Sequence, residues 1–273
     1  FLCLIFLIMN SKNVSFFITD WLKSYVLKSN NKGFVIGVSG GIDSAVSSTL
    51  CAETGLDVLC LEMPIHQSED HINRAREQIY FLKKNYPNVK SKTIDLTSVF
   101  EELKTKVSID STETDNEFAL ANTRSRLRMV TLYYHAGQLG YLVCGTGNKV
   151  EDFGVGFYTK YGDGGVDLSP IADLLKSEVY ELGNYLNVPR SIIEASPSDG
   201  LFKDSRTDED QIGASYPELE WAMSMKEKGK KAEDFIGREN EVFKIFMRFF
   251  NSNQHKMKTI PVCSISESIK SSL

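Results

Sequence analysis

Residues 37–44 combine glycines, hydroxyl groups and one acid in a way that suits the binding of phosphate. The eight residues are Gly37-Val38-Ser39-Gly40-Gly41-Ile42-Asp43-Ser44. Glycine lets a phosphate approach the main chain, because it adopts backbone conformations closed to other residues. An apolar run precedes the segment and a helix is predicted after it, and the unpaired N–H groups of a helix N-terminus attract anions. The segment is therefore predicted to be a phosphate loop.

Asp43 is the residue of this loop that implies a metal ion. A carboxylate next to phosphate is repulsive unless a divalent cation bridges the two, so the loop predicts magnesium. The loop has neither the GxxxxGK[ST] pattern of a Walker loop nor the GxGxxG pattern of dinucleotide-binding folds. The alternative is a turn whose only role is to cap the following helix through Asp43 or Ser44. Two serines, two glycines and an acid after an apolar strand exceed the needs of capping, so phosphate binding is favoured.

The elements that must hold this loop alternate between strands and helices. Short apolar runs predict strands over residues 33–38, 57–61, 89–94 and 141–144. Apolar residues at helical spacing predict helices over residues 10–29, 43–53, 68–84, 117–139 and 176–186, and one that starts at residue 96. Strands separated by helices pair in parallel. The chain is therefore predicted to be a single α/β domain, a doubly wound parallel sheet with helices on both faces.

The last third of the chain is predicted to be a polar loop followed by helices. Residues 196–211 are polar and charged and include the acidic run Asp208-Glu209-Asp210. This composition is typical of a mobile surface loop. Helices are predicted from Tyr216 onward and over residues 238–251.

Composition narrows the classes of function. The chain has 273 residues and a formal net charge of −5, which disfavours a nucleic-acid partner. Its five cysteines form no CxxC pair, and three of them lie in apolar segments. That pattern indicates reduced thiols in a cytoplasmic protein rather than a disulfide framework.

The apolar run at the start of the chain is predicted not to be part of the folded domain. A membrane span needs roughly 20 apolar residues, and this run is far shorter. It also has no basic residues before it and no cleavage site typical of a secretory signal. We expect residues 1–9 to be an upstream leader with Met9 as the natural start, and residues 10–273 to form the domain. A membrane anchor is the alternative, and we expect no membrane partner.

The loop resembles the SGGxDS loop of the ATP-pyrophosphatase family, whose members cleave ATP between the α- and β-phosphates to adenylate a substrate. The loop alone is compatible with several such enzymes, and motifs further along the chain distinguish them. These are NTRSRLRM at residues 122–129, GTGNK at 145–149, TKYGDGGVD at 159–167 and His255-Lys256. Together they resemble ammonia-dependent NAD synthetase, from about Val14 to Pro261.

The resemblance implies a set of ATP and magnesium contacts. Asp43 and Lys176 are the candidate catalytic residues, with lysine offsetting the charge that grows as pyrophosphate leaves. Glu151 is implied as the second magnesium ligand beside Asp43. The neighbouring Asp152 is the alternative, since the interval from Glu151 to Lys160 is one residue longer than is usual in the family. The remaining implied ATP contacts are residues 37–44, Thr146 and Ser198.

The resemblance also implies the binding of deamido-NAD. Its pyrophosphate and carboxylate call for cations, and its ribose hydroxyls suit an acid. The implied contacts are Arg126, Lys160, Asp167, His255 and Lys256. Arg124, Arg126 and Arg128 alternate along one predicted helix, so at least one of the three is expected to face solvent. Spacing to Thr146 in the family selects Arg126, and a bland alternative for Lys176 is a solvated charge on a helix.

The expected reaction is the amidation of deamido-NAD by ammonia, with ATP converted to AMP and pyrophosphate through an adenylated intermediate. Glutamine-using relatives carry an additional amidase domain before the phosphate loop. Only about 30 residues precede the loop strand here, so we expect free ammonia as the nitrogen donor. Residues 196–211 would be a lid that excludes water. The family is homodimeric, and the arginine-bearing helix is the candidate interface.

Two other functions are weighed against this one. An adenylating enzyme that acts on tRNA needs a basic surface, and usually an RNA-binding domain or a cysteine pair. A non-catalytic nucleotide-binding regulator could keep the glycines while losing Asp43, Lys160 or Lys176. All three residues are present, which favours the enzyme.

Overall fold

A four-stranded parallel sheet forms the centre of the computed structural model, which describes residues 9–107, 113–197 and 207–271. The strands are β1 (Gly33–Gly37), β2 (Asp57–Glu62), β3 (Val89–Thr93) and β4 (Leu142–Val143), in the order β3-β2-β1-β4. Residue Val35 of β1 pairs with Leu59 of β2 and with Val143 of β4. β1 is buried on both faces, as its continuous apolar sequence predicts.

Helices connect and cover the strands. In chain order they are α1 (Ser11–Lys28), α2 (Ile42–Glu53), α3 (Glu69–Asn85), α4 (Thr97–Val107), α5 (Glu113–Leu139), α6 (Lys176–Tyr185), α7 (Arg190–Ile193), α8 (Asp208–Ile212), α9 (Tyr216–Glu227), α10 (Gly237–Met257) and α11 (Glu267–Lys270). A π-helix spans Val150–Val155 and a 3₁₀ turn spans Ala232–Asp234. The strands and long helices lie within a few residues of their predicted positions.

The two faces of the sheet carry separate apolar layers. Phe34 and Ile36 of β1 pack on one face with residues of α1, α2, α3 and α6. Val35 of β1 and Val143 of β4 pack on the other face with residues of α4 and α5. The alternation follows from the pleat, which points successive side chains to opposite faces. The predicted parallel sheet with helices on both faces is confirmed.

A third apolar cluster lies beside these two layers and belongs to the C-terminal part of the chain. Its buried residues come from the π-helix, α8, α9 and α10 and include Val150, Leu219 and Phe246. The π-helix packs directly on α10 at Gly154, where a β-carbon would lie 3.4 Å from the ring of Phe246. This cluster fixes the chain that follows β4 against the C-terminal helices.

Two boundaries differ from the predicted ones. α10 continues to Met257, six residues beyond the predicted end, and therefore carries His255 and Lys256. The acidic run Asp208-Glu209-Asp210 lies in the first turn of α8, where the hydroxyl of Thr207 accepts from the Asp210 amide. Acids are stabilised at a helix N-terminus, which explains why these residues are helical rather than in a loop. Residues 198–206 of the predicted lid lie outside the described residues.

Cys51, Cys60 and Cys144 are free, buried thiols, as their apolar surroundings predict. Residues 1–8 of the predicted leader lie outside the described part of the chain, whereas Met9 packs against the apolar layer of α1 and α2. Among the helices that the structure describes, none combines the length and apolar character that a bilayer crossing requires.

The third cluster is expected to be essential for stability. Phe246 is 0% exposed, so Phe246→Ala should lower the free energy of unfolding by about 3–5 kcal/mol through lost burial and a residual cavity. Phe16 is 76% exposed, so Phe16→Ala should change it by less than about 0.5 kcal/mol. Urea denaturation followed by circular dichroism measures both, and equal losses would contradict the assignment of this core.

Candidate active site

A cavity of about 620 Å³ opens at the carboxyl ends of the strands. Its wall contains the residues that follow three strands: the loop after β1, Met63 and Pro64 after β2, and Gly145–Gly147 after β4. Open parallel sheets bind ligands at this edge, where the strand order reverses on either side of the first strand. The cavity is the candidate active site.

The phosphate loop has the conformation that its glycines predict. Gly40 has a φ of +88°, and a β-carbon there would lie 2.4 Å from the backbone oxygen of His71. The hydroxyl of Ser44 accepts from the Ser39 amide at 3.2 Å and donates to the Gly41 carbonyl at 3.0 Å. Gly41 stands at the N-cap position of α2 and has no side chain that could cap the helix, while Asp43 and Ser44 lie inside its first turn. The capping interpretation of Asp43 and Ser44 is therefore wrong, and the N-terminus of α2 faces the cavity.

Three charged groups from distant parts of the chain meet at the cavity. The Lys176 ammonium lies 2.6 Å from Asp43 Oδ2 and 2.9 Å from Glu151 Oε1. The lysine side chain is only 4% exposed, and the two carboxylates are 18% and 17% exposed. Lys176 begins α6 and points inward, so the interpretation of this lysine as a solvated charge is wrong.

Burial and pairing act in opposite directions on these groups. Burial disfavours the charged form of Lys176, but the carboxylates of Asp43 and Glu151 outweigh it and raise the pKa of the lysine. Burial also acts to raise the pKa of Glu151, but the lysine charge and a hydrogen bond from Tyr216 lower it overall. Burial outweighs Lys176 at Asp43, so the pKa of Asp43 is raised. The site is a buried cation held between two buried carboxylates.

Asn148 and Tyr216 orient the carboxylates, and neither was predicted to have a role in the site. Asn148 Nδ2 donates to Asp43 Oδ1 at 2.9 Å, while Asn148 Oδ1 accepts from the amides of Val150 and Glu151 at 3.1 Å each. The Tyr216 hydroxyl donates to Glu151 Oε1 at 2.5 Å. Asn148 lies in the GTGNK motif after β4, which is a usable signal. Tyr216 has no comparable signal, because an aromatic residue on a predicted helix is ordinarily part of a core.

A π-helical turn carries Glu151. The amide of Gly156 donates to the carbonyl of Glu151, a bond across five residues that closes a wider turn than an α-helix has. π-helical turns are frequent at functional sites.

Glu151, and not Asp152, is the acid that joins Asp43 at the lysine. The Asp152 carboxylate lies over Gly147, where a β-carbon would be 2.2 Å from Asp152 Oδ2. Asp152 still lines the cavity, and burial, followed by the charges of Glu151 and Asp163, raises its pKa well above the usual range. The geometry therefore favours Glu151 over Asp152 as the second candidate ligand.

The TKYGDGG segment forms a tight turn against α5. Ser125 Oγ donates to Asp163 Oδ1 at 2.6 Å and accepts from the Asp163 amide at 2.8 Å. A β-carbon at Gly162 would lie 2.3 Å from the same hydroxyl oxygen, so a larger residue does not fit there. The motif is thus held by the long helix that carries the arginines.

The predicted cationic contacts to the dinucleotide lie together at one side of this turn. Arg126 donates to the carbonyl of Lys160 at 3.3 Å, and Lys160 Nζ donates to the carbonyl of His255 at 2.7 Å. Lys256 Nζ donates to the carbonyls of Gly156 and Tyr158 at 2.9 and 2.8 Å. Each acceptor is a backbone oxygen without net charge, so these bonds hold the cations without neutralising them.

Of the predicted substrate contacts, only Lys256 lines the main cavity together with Thr146 and Lys176. Asp167 lies elsewhere, with one carboxylate oxygen accepting from Tyr133 at 3.0 Å and the other from the Val143 amide at 2.8 Å. Arg126 is exposed, as expected of at least one of the three arginines, whereas Arg128 donates to the Met63 carbonyl at 3.0 Å. Ser198 lies outside the described residues.

A comparison with known protein families shows the family to which this chain belongs. The family model described as NAD synthase matches residues 15–260. The chain belongs to the NAD synthase family. The predicted resemblance is therefore confirmed.

Individual relatives agree with this assignment. The NH(3)-dependent NAD(+) synthetase of Archaeoglobus fulgidus is 38% identical over 95% of this chain and 99% of its own. Among solved structures, the NMN synthetase of Francisella tularensis has a TM-score of 0.81 at 32% identity, over 94% of this chain and 100% of its own. The NH3-dependent NAD synthetase of Campylobacter jejuni has a TM-score of 0.75 at 27% identity, with the same coverage.

The residues of this NAD synthase family member fit a magnesium ion. Magnesium prefers oxygen ligands and is usually held by one or two carboxylates together with substrate phosphates. Asp43 and Glu151 supply two carboxylates beside the phosphate loop, and the Lys176 ammonium between them shows that this position accepts a cation. Among the described residues, no group of three or more His, Cys, Asp or Glu could hold a metal by protein ligands alone. The fit is thus to an ion that shares its coordination with ATP.

Lys176 is expected to contribute strongly to folding as well as to the site. Lys176→Met leaves two buried carboxylates without their cation, which should cost about 3–5 kcal/mol in the free energy of unfolding near neutral pH. Lys149→Met is the control, because its partner Asp173 is 98% exposed and such pairs contribute about 0–1 kcal/mol. Chemical denaturation without ligands measures both variants. A Lys176→Met protein as stable as the Lys149→Met protein would show that the buried pair is not formed.

Proposed function

We propose that this chain is a ligase that amidates deamido-NAD with ammonia to form NAD, with ATP converted to AMP and pyrophosphate. The NAD synthase family assignment and the ammonia-dependent relatives over nearly the whole chain support this reaction. The observation that carries it in the structure is the cavity that joins a phosphate loop to two carboxylates and a buried lysine. The proposed reaction needs no side-chain nucleophile, because the two substrates react with each other.

The first step is adenylation. The carboxylate of the nicotinate attacks the α-phosphate, an oxygen–phosphorus bond forms, and pyrophosphate leaves. Residues 37–44 bind the phosphates through backbone amides and the hydroxyls of Ser39 and Ser44, with Thr146 and Ser198 as further contacts. A magnesium ion held by Asp43 and Glu151 would neutralise charge on the phosphates. Lys176 adds a positive charge where negative charge grows on the departing pyrophosphate.

The second step forms the amide. Ammonia attacks the acyl carbon, the bond from this carbon to the AMP oxygen breaks, and the nitrogen loses a proton. Positioning the two reactants supplies most of the rate, since both steps are transfers between bound substrates. The part of the predicted lid that precedes α8 is proposed to keep water from the adenylate.

The nicotinate end of the substrate is proposed to bind at the TKYGDGG turn. Arg126, Lys160, His255 and Lys256 supply cations or polar groups for its phosphates and carboxylate, and Asp167 is the proposed acceptor for a ribose hydroxyl. The bonds of Arg126, Lys160 and Lys256 to backbone carbonyls leave the charges of these three side chains available to an anion.

We also propose a homodimer through α5, in a cytoplasmic protein. Val130 and Tyr134 are four residues apart on this helix and are 59% and 60% exposed, which forms an apolar strip on one of its faces. Such a strip suits the interface with a second copy of the chain.

A second substrate is a candidate because of one relative. The Francisella tularensis structure with a TM-score of 0.81 is an NMN synthetase. NMN lacks the adenylate half of NAD, so nicotinate mononucleotide would be the corresponding substrate. The reacting carboxylate and the ATP chemistry would be the same, and only the contacts to the adenylate half would differ.

A direct assay separates these possibilities. Purified protein is incubated with ATP, magnesium and ammonium, and with either deamido-NAD or nicotinate mononucleotide, while AMP and the amide product are followed. The proposal expects equal amounts of NAD and AMP, a higher kcat/KM for deamido-NAD, and no product when glutamine replaces ammonium. A higher kcat/KM for the mononucleotide would favour the second candidate, and no AMP with either substrate would contradict both.

Substitutions of lysine should separate the contacts to deamido-NAD from the contacts to ATP. Lys160→Ala and Lys256→Ala each remove a charge-assisted contact and should raise the KM for deamido-NAD roughly tenfold to a hundredfold, with little change in the KM for ATP. Lys176→Ala should instead raise the KM for ATP. Lys106→Ala, at a 73% exposed ion pair, is the control and should change neither constant. If Lys160→Ala and Lys256→Ala weakened only the binding of ATP, the placement of the dinucleotide at this turn would be wrong.

A further inference from the structure

Tyr216 is a buried aromatic residue with its hydroxyl among the charged groups of the site. This hydroxyl lies 2.5 Å from Glu151 Oε1 and 3.2 Å from Asp208 Oδ2. Its ring lies 4.7 Å from the Lys176 ammonium, in the geometry of a cation–π contact. Tyr216 therefore touches both the lysine and one of the two carboxylates of the site.

The backbone around Tyr216 is fixed by a dense set of hydrogen bonds. Tyr216 is the first residue of α9, and its amide donates to Glu209 Oε1 at 2.8 Å. Glu218 accepts from the Ser215 amide at 2.9 Å, and Arg238 donates to Glu218 Oε1 at 2.7 Å. The ring itself belongs to the C-terminal apolar cluster. The position of the phenol is thus set by the corner between α8 and α9, independently of the phosphate loop.

Glu151 has a charged partner and a neutral one at the same carboxylate oxygen. The Lys176 ammonium contacts the same oxygen, Glu151 Oε1, and also Asp43 Oδ2. Lysine has a flexible stem, and its ammonium is expected to follow the phosphates when ATP binds. The phenol is neutral and its ring is held in the C-terminal apolar cluster, so we expect this partner of Glu151 to stay in place.

We propose that Tyr216 is a positioning residue that holds the Glu151 carboxylate opposite Asp43, and so sets the binding of magnesium-bound ATP. The proposal rests on the proposed function only as far as Glu151 serves as a magnesium ligand. Tyr216 touches neither substrate in this role and acts through Glu151.

The test is Tyr216→Phe, which removes the hydroxyl and keeps the ring in the apolar cluster. The dissociation constant of ATP is measured by calorimetry, once with magnesium and once with a chelator, without a second substrate. We expect magnesium-bound ATP to bind roughly tenfold more weakly, as the loss of one hydrogen bond to a charged group predicts, while ATP with chelator changes less than about twofold. Equal weakening in both conditions, or none in either, would overturn the proposal.

Tyr141→Phe is the matched control. Its hydroxyl donates to Asp57 Oδ2 at 2.9 Å, which is also a tyrosine–carboxylate bond but lies at the opposite end of the sheet, where β2 begins. This variant should leave both dissociation constants unchanged. Melting temperatures of the two variants show whether any loss of binding follows from a loss of fold.

A double-mutant cycle with Glu151→Gln tests whether Tyr216 acts through Glu151. In the Glu151→Gln background, Tyr216→Phe should raise the dissociation constant of magnesium-bound ATP by less than about twofold, because the carboxylate that Tyr216 positions is already lost. Fully additive effects would mean that Tyr216 acts by another route. Deamido-NAD is absent from every measurement, so failure of this proposal is distinguishable from failure of the proposed reaction.

Discussion

The Lys176 ammonium between Asp43 and Glu151 is the interaction on which the rest of the site depends. The three residues come from the start of α2, from the π-helix and from the start of α6. Burying two carboxylates without a cation is costly, so the folded chain must bring all three elements together. The same arrangement prepares the site for its ligands, because an ammonium held by two carboxylates marks where a divalent cation fits beside the phosphate loop.

The site lies where two separately packed parts of the protein meet. The sheet and its helices provide the phosphate loop, Asp43 and Lys176. The C-terminal cluster provides the π-helix with Glu151, together with the Tyr216 phenol. Packing in each part is dense and apolar, so the distance between the carboxylates is set by how the two parts fit against each other. Polar side chains such as Asn148 join them, with one end on Asp43 and the other on the π-helix.

The cations at the TKYGDGG turn are organised by a different principle. Arg126, Lys160 and Lys256 donate to backbone carbonyls and not to carboxylates. A carbonyl orients a cation but does not cancel its charge, so this region is ordered and positively charged before any anion arrives. At Lys176 the charge is balanced inside the protein, and phosphate must compete for it. This contrast agrees with the proposed function, in which Lys176 takes part in the release of pyrophosphate and the cations at the turn only bind the dinucleotide.

The sheet and the phosphate loop could be predicted from the sequence, because both depend on local patterns. Apolar runs of strand length, glycines at a turn and a following helix are all read within some twenty residues, and the structure has them where they were predicted. Asp43 could be recognised as special because a carboxylate in a phosphate loop needs a cation. Lys176 and Glu151 were selected only through resemblance to a family, since nothing near them in the sequence distinguishes them from surface charges.

Features that depend on contacts between distant segments could not be predicted in this way. Lys176 pairs with Asp43, which lies 133 positions away, and with Glu151, which lies 25 positions away. The role of Tyr216 appears only when α9 packs beside the π-helix. Glu151 and Asp152 are equivalent in composition, and the wide π-helical turn places one at the lysine and the other over Gly147. The acidic run at Asp208 was predicted to be a loop from its polarity, whereas capping by Thr207 and the dipole of α8 stabilise it as helix. These features result from packing and charge burial between distant segments, and a local sequence pattern does not contain that information.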